Sequence, residues 1–456
     1  MKLCHIFLAA AALSVSLAAQ TLEQQVDTLV PKALADLGVP SAQVAVVQDG
    51  RTVLAKAYGN ARLEPPTPAT PTMRYGIGSI SKQFTATAVM MLVEQGKLSL
   101  DDHVSKFLPQ LTRANEVTVR QLLSHTSGYQ DNYPQDYTPN SFKRAVTAAY
   151  IMDTWAKKPL DFEPGTRWQY SNTGYTIAGA IVEKAGGKPL FEQLRDRVFT
   201  PLGMSSATEI TAKTPSNVDA EGYERHALSP PRVAAVEAPG WLFAAGEITM
   251  TATDLAKWDI SLMNESVLKP TSYRTMETEI LLNNGVGTRY GLGLSVLQQG
   301  THRVLEHSGE ISGFVSDNIV LPDDKAAVVV LTNMEGPGAS TIAAHITRIL
   351  VRKPDPTGGD AEARARKALE GLTQGKIDRS QLTENCNGYF DEPTLRDYQE
   401  SLSRLGNIVS FSAGSPSLRG GMTHRTFTVR YKERTVSINA YETTDGKYEQ
   451  FLVDPA

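Results

Sequence analysis

Ser79-Ile80-Ser81-Lys82 places an ammonium three residues after a hydroxyl, at the mouth of an apolar stretch, "FTATAVMMLVE". On a helix, residues three apart share a face. The first turn of a helix also offers unpaired N–H groups and partial positive charge, which favour an alkoxide over a hydroxyl. A neutral lysine there can accept the serine proton. Neutrality near pH 7 requires a shift of about three units from ~10.4, or roughly 4 kcal/mol of environment. Ile80, Phe84, Val89 and Met90 supply apolar surroundings that act in that direction. The spacing therefore suits an activated nucleophile. The bare pattern also fits an N-cap serine beside a surface lysine, and Ser266-Val267-Leu268-Lys269 repeats it next to Pro270 without an apolar helix behind it.

Two further segments carry compatible chemistry. Tyr170-Ser171-Asn172 sits in a polar turn that enters a second apolar helix. A tyrosine close to a lysine is expected to lose its proton more readily and to serve as general base and acid. The neighbouring asparagine offers a donor and an acceptor to a substrate amide or ester. Tyr58-Gly59-Asn60 has the same spelling at a strand end, where it reads as a turn. His307-Ser308-Gly309 falls on an expected strand, and the glycine is expected to leave room for a substrate along the strand edge. The backbone N–H groups of Ser79 and Glu310 form a candidate two-donor oxyanion hole.

The phrases "IGSISKQFTATA", "VRQLLSHTSGY", "PGTRWQYSNTGYTIAG", "PLGM", "YGLGL" and "HSGEISGF" resemble the serine β-lactamase-like hydrolases. They are most similar to the group holding class C β-lactamases, D-alanyl-D-alanine carboxypeptidases, D-aminopeptidases and family VIII carboxylesterases. The likeness runs from about residue 22 to 352, with three motifs in the family's order. It implies an acyl-enzyme on Ser79, with Lys82 as the activating lysine and Tyr170 exchanging protons with the nucleophile and leaving group. It assigns Asn172, His307 and Gly309 to substrate binding, and it implies no cofactor and no metal. The class C enzymes carry a lysine and a threonine before that glycine. Histidine at 307 is mostly neutral at pH 7, which weakens any anchor for a penicillin-type carboxylate. His125, inside "LLSHTSG", reads as a brace for a helix end.

The elements that must position these residues follow α+β order. An amphipathic helix over 22–37 precedes two strands joined at Asp49-Gly50, a hairpin signal. A proline-rich loop spans Pro65 to Pro71. Helices and loops occupy about 100–260, with Thr251 as an N-cap and Asp254 three residues on. Strands return in "RYGLGLSVLQ", "HRVLEHSG", "FVSDNIVLP" and "AAVVVLTN", before a helix "STIAAHITRILV". A sheet built from both ends of this region, with helices inserted between, fits that order, and the resemblance implies a β-lactamase/transpeptidase-like fold. "KPDPTGGDAEARARK" reads as a linker. The expected division is a signal peptide over 1–19, a hydrolase domain over 20–352, a linker over 353–362 and a small α+β domain over 363–456. In that last part the aromatics on one face read as core.

Composition sets the remaining bounds. The 456 residues carry a formal charge of −4, with 41% apolar and 21% charged residues, which gives no basic face for nucleic acid. "MKLCHIFLAAAALSVSLAAQ" reads as a secretory signal cut after Ala18 or Ala19, so the expected location is secreted or periplasmic. Past it, Cys386 is the only cysteine and reads as a packing residue. Nothing later is long and apolar enough to span a bilayer. The reading is a metal-free serine hydrolase acting on a small ester, amide or peptide. The alternatives are a β-lactamase, or a sensor that acylates without turnover. Acyl preference and oligomeric state have no readable signal.

Overall fold

The computed structural model describes residues 21–211, 215–351 and 358–456. The expected signal peptide and the first part of the expected linker lie outside the described residues. The chain divides into two compact units, Met1–Val351 and Arg352–Ala456.

In the first unit, helix α1 (Leu22–Leu37) opens at Thr21, whose hydroxyl accepts from Gln24 N while Gln24 returns a bond to Thr21 N. Gly38 closes it in the left-handed region. Strands β1 (Ser41–Gln48) and β2 (Arg51–Leu63) are joined by Asp49 and Gly50, both at positive φ. The expected proline-rich loop contains a short strand instead, β3 (Pro66–Pro68), paired to the end of β2 at the sheet edge. Proline is tolerated there because an edge strand has one ladder face free. Then come a single 3-10 turn over Gly78–Ile80, helix α2 (Ser81–Glu94), helix α3 (Val119–Leu123) and helix α4 (Asn172–Gly186). Helix α5 (Ala252–Met263) has Thr251 as its N-cap, accepting from Asp254 N, while the Asp254 carboxylate turns to Ser206. Strands β4 (Ser295–Gln299), β5 (His302–Ile311), β6 (Phe314–Leu321) and β7 (Ala326–Thr332) precede helix α6 (Gly338–Val351).

The seven strands form one antiparallel sheet in the order β3-β2-β1-β7-β6-β5-β4. Every residue of β7 is buried because both faces are covered. Val328 and Val330 meet Val26, Val30 and Leu34 of α1 and Ile342 and Ile346 of α6. Val329 and Leu331 face the other core, with Phe84 and Val89 of α2 and Leu255 and Trp258 of α5. The sheet thus lies between a terminal helix pair and the inserted helical region, and the Ser79 segment belongs to the second layer.

The second unit pairs helices with a small antiparallel sheet. Helix α7 (Gly358–Thr373) begins inside the stretch read as linker, with Ala361, Ala365, Leu369 and Leu372 forming its buried stripe. Helix α8 (Glu392–Leu402) is capped by Asp391. The sheet holds β8 (Ile408–Ala413), β9 (Ser417–Arg419), β10 (Met422–Tyr431), β11 (Thr435–Glu442) and β12 (Tyr448–Pro455), in the order β8-β10-β11-β12 with β9 also on β10. Phe427, Val429, Tyr431, Val436, Ile438, Tyr448 and Phe451 are core, and Cys386 packs among them.

Candidate active site

Ser79 occupies the 3-10 turn before α2, not the first turn of α2 itself. The turn is set by a close approach. Gly78 has φ +52°, and a Cβ there would lie 2.6 Å from Glu310 N. Gly309, on β5, meets the same turn from the other side. A Cβ at 309 would lie 1.9 Å from Ile77 O and 2.5 Å from Ser316 Oγ. The Ser316 hydroxyl donates to Ile77 O at 2.8 Å. The expectation that Gly309 leaves room for substrate is therefore corrected, because the Ile77 carbonyl fills that space. The two glycines bring the Ser79 turn against the backbone of Glu310, as the candidate oxyanion hole needs.

Lys82, in α2, is fully buried. Its Nζ lies 2.9 Å from Ser79 Oγ, 2.8 Å from Asn172 Oδ1 and 2.8 Å from Ala245 O. The Ala245 carbonyl is held in place by its neighbour, since Thr85 of α2 donates to Ala244 O at 2.7 Å. Burial brings the Lys82 ammonium down to about 7, against an opposing pull from the Asp131 carboxylate. Asp131 reaches the group through Asn172, accepting from Asn172 N at 3.0 Å and from Asn172 Nδ2 at 3.1 Å. Asn172 opens α4, and its side chain is engaged on both sides by Lys82 and Asp131. Asn172 thus bridges Lys82 and Asp131 while also lining the cavity, where the expected substrate-amide contact would fall.

Tyr170 lies beside Ser79, and its hydroxyl interacts with the serine oxygen. Lys82 Nζ stands 4.8 Å from the centre of its ring. The expectation of an easily lost phenolic proton is corrected: desolvation pushes the Tyr170 phenol up, and this outweighs the help from Ser79. Lys82, brought down to about 7 by the same burial, is charged only part of the time at neutral pH and does not offset that effect. His125 braces this tyrosine. Its ring packs at a tilt against Tyr170, 4.3 Å between centres, its Nδ1 accepts from Ser171 N at 3.1 Å, and its carbonyl accepts from Gln169 N at 2.9 Å. His125 itself sits at φ +60°, just past α3. Among the described residues its Nε2 has no partner.

His307 is buried, with both ring nitrogens engaged. Nδ1 donates to Ser308 O at 2.6 Å, so Nε2 accepts from the Tyr290 hydroxyl at 2.8 Å. Burial holds the imidazole down to about 3, so it is neutral. His307 lines the cavity, as a substrate-binding residue would, but as a packed, uncharged wall. Tyr290 and Asp131 had no assigned role in the sequence. Tyr290 stands in the quoted phrase "YGLGL", and Asp131 in the loop "QDNYPQDYTPN", but their partners are distant in the chain.

Ser79, Tyr170, Asn172, His307 and Glu310 all line one cavity of about 590 Å³. The loop over 131–137 supplies a wall, including Tyr133 and Tyr137, and Trp241 supplies another. Trp241 stacks on Phe142 at 3.8 Å, and Phe142 packs against Tyr133, which ties the two walls together. Among the described residues no group of three or more His, Cys, Asp or Glu side chains could hold a metal ion, and no helix is long and apolar enough to cross a membrane.

An antiparallel sheet between two helical layers, with a buried lysine touching a serine at the head of the inserted region, defines a β-lactamase/transpeptidase-like serine hydrolase. The chain belongs to the Beta-lactamase family, whose model matches residues 26–352. Protein flp of Staphylococcus aureus (strain MW2) is 28% identical over 343 residues, covering 72% of this chain. The match spans 66% of that relative, just under two thirds of its length. D-amino acid amidase from Ochrobactrum anthropi SV3 is similar with a TM-score of 0.62 and 26% identity, over 72% of this chain and 97% of that one. The octameric penicillin-binding protein homologue from Pyrococcus abyssi shares the fold at a TM-score of 0.64 and 24% identity, covering 95% of this chain and 96% of that one.

Proposed function

We propose that this protein hydrolyses a small ester or amide through an acyl-enzyme on Ser79. The observation that carries the reading is Lys82, 2.9 Å from the serine oxygen with its ammonium brought down to about 7. An ammonium has three donors, and three acceptors surround this one. In the neutral amine, two N–H groups stay on Asn172 Oδ1 and Ala245 O, and the lone pair faces Ser79. Lys82 then takes the Ser79 proton as the serine oxygen attacks the substrate carbonyl. The N–H groups of Ser79 and Glu310 stabilise the resulting oxyanion. Tyr170, protonated at the outset, gives its proton to the departing alcohol or amine and is refilled by the proton that Lys82 took from Ser79. Water then attacks the acyl-serine, losing its proton to neutral Lys82, and that proton returns to Ser79 Oγ as the acid leaves. Lys82 is the principal base in this scheme, and Tyr170 the acid.

A location outside the cytoplasm is part of the proposal and is supported by the N-terminal "MKLCHIFLAAAALSVSLAAQ". The division into a hydrolase domain over 20–352 and an accessory domain over 363–456 is likewise proposed. The neutral His307 disfavours a β-lactamase, whose substrates bring a carboxylate. The test is a panel of esters, D-amino acid amides and cephalosporins assayed on the protein and on Ser79→Ala. Loss of both turnover and fluorophosphonate labelling in the variant supports the reading. Repeated product release separates an enzyme from a sensor that acylates once.

A further inference from the structure

We propose that the substrate accepted at Ser79 carries a positively charged amine and no carboxylate, and that Glu335, Asp136 and the Glu310 side chain read that charge. The inference rests on the Ser79 reading and adds the class of substrate.

The cavity is charged on one side only. Asp131, Asp136, Glu310 and Glu335 line it, and among its described lining residues there is no lysine or arginine. Asp131 is occupied by Asn172. Among the described residues the other three form no ion pair, and Glu335 accepts a single bond, from Gly313 N at 3.2 Å. They also feel one another. Glu310 is pushed up by burial and then by Asp136. Glu335 is pushed up by burial and then by Glu224, Glu310 and Glu237. A cation entering the cavity relieves that repulsion, and an anion adds to it.

A second, separate feature points the same way. Glu237 is buried behind the wall, where its Oε1 accepts from the Tyr133 hydroxyl at 3.0 Å and from Ser312 N at 3.1 Å. Its Oε2 has no partner among the described residues. One more acidic group thus stands directly behind two lining residues, with burial pushing its carboxyl up. Tyr133, Tyr137 and Trp241 also line the cavity, and aromatic rings at such a wall favour a cation over an anion. The one place where a carboxylate anchor is expected, residue 307, holds a neutral imidazole whose nitrogens are both in use.

Three fluorophosphonate probes that differ only in their tails, ammonium, uncharged or carboxylate, test this by their second-order rates of Ser79 labelling. The expected order is ammonium, uncharged, carboxylate, with the ammonium probe about 30-fold or more ahead of the carboxylate probe at low ionic strength. Added salt is expected to narrow that ratio, as screening requires. In Glu335→Gln/Asp136→Asn the ratio is expected to fall about tenfold, each rate being referenced to the uncharged probe on the same variant. If the double variant does not fold, Glu335→Gln alone is read in the same way, with a smaller fall expected. Equal rates, or faster labelling by the carboxylate probe, overturn the inference while leaving the Ser79 reading intact. A ratio unchanged in both variants overturns the assignment to these carboxylates. No labelling of Ser79 by any probe overturns the Ser79 reading, and this inference with it.

Discussion

Lys82 Nζ and Ser79 Oγ are 2.9 Å apart, and the lysine is held there by two acceptors that are not part of the reaction, Asn172 Oδ1 and Ala245 O. Its position therefore does not depend on its charge. Because its ammonium is brought down to about 7, the base form predominates above that pH. Acylation, read as kcat/KM or as labelling rate, is expected to rise with pH through about 7 and then level off. Lys82→Met is expected to slow it by about 10² or more and to flatten that limb.

Asp131 gives a finer test of the same group. Its carboxylate favours the Lys82 ammonium and so opposes the effect of burial. Asp131→Asn removes the charge and keeps one acceptor for Asn172. The lysine then loses its proton more easily, and the limb near 7 is expected to move to lower pH. A shift to higher pH would show that Asp131 acts on Lys82 by some route other than its charge.

For Tyr170 the direction of the shift decides the role. Desolvation holds its proton on, so no phenolate contributes at neutral pH. Tyr170→Phe removes the donor and keeps the ring that packs against His125. The expected result is a loss of about 10² in turnover, with thermal stability close to that of the parent protein. Substrates with poor leaving groups should suffer most, so an amide and an activated ester of the same acyl group make the comparison.

His307 is neutral across the physiological range, since it titrates only near 3. No ionisation between pH 5 and 6.5 is expected to appear in the rate profile on its account. The same neutrality predicts that nitrocefin turnover falls well below that of p-nitrophenyl butyrate. Nitrocefin turnover equal to or above the ester's would return the protein to the β-lactamases.

Gly309→Ala tests the contact that seats the nucleophile. The added methyl would meet Ile77 O, which is backbone and cannot rotate away. Overpacking of this kind costs about 1–3 kcal/mol, sometimes more. The melting temperature is expected to fall, and labelling of Ser79 to fall further than the stability loss explains.

Much of this site was legible in the sequence because its parts are short and local in character. A hydroxyl three residues from a lysine, ahead of an apolar helix, needs no knowledge of distant chain. The strands near the C-terminal end of the first unit showed in their apolar runs, and Asp49-Gly50 showed as a turn. What could not be read depends on contacts across long separations. Asn172 looked free to touch substrate, yet its partners are 90 residues back and 41 residues back. Gly309 looked like space, and the atom that fills the space belongs to residue 77. Tyr170 was misjudged on a matter of magnitude. A nearby lysine suggests a lowered phenol, but burial acts on both groups, and it lowers the lysine while raising the tyrosine.

Strand β1 pairs with β7, matching Ala42 to Thr332 and Val47 to Ala327, while the strand that carries Gly309 lies two places further across. The centre of the sheet thus unites chain segments nearly 300 residues apart. Such distant pairings are made late, after the entropy of closing a long loop has been met. A nascent chain stopped before residue 326 lacks the strand that joins the two halves. A chain cut there is expected to lose labelling at Ser79, because nothing then holds residue 310 against the 78–80 turn.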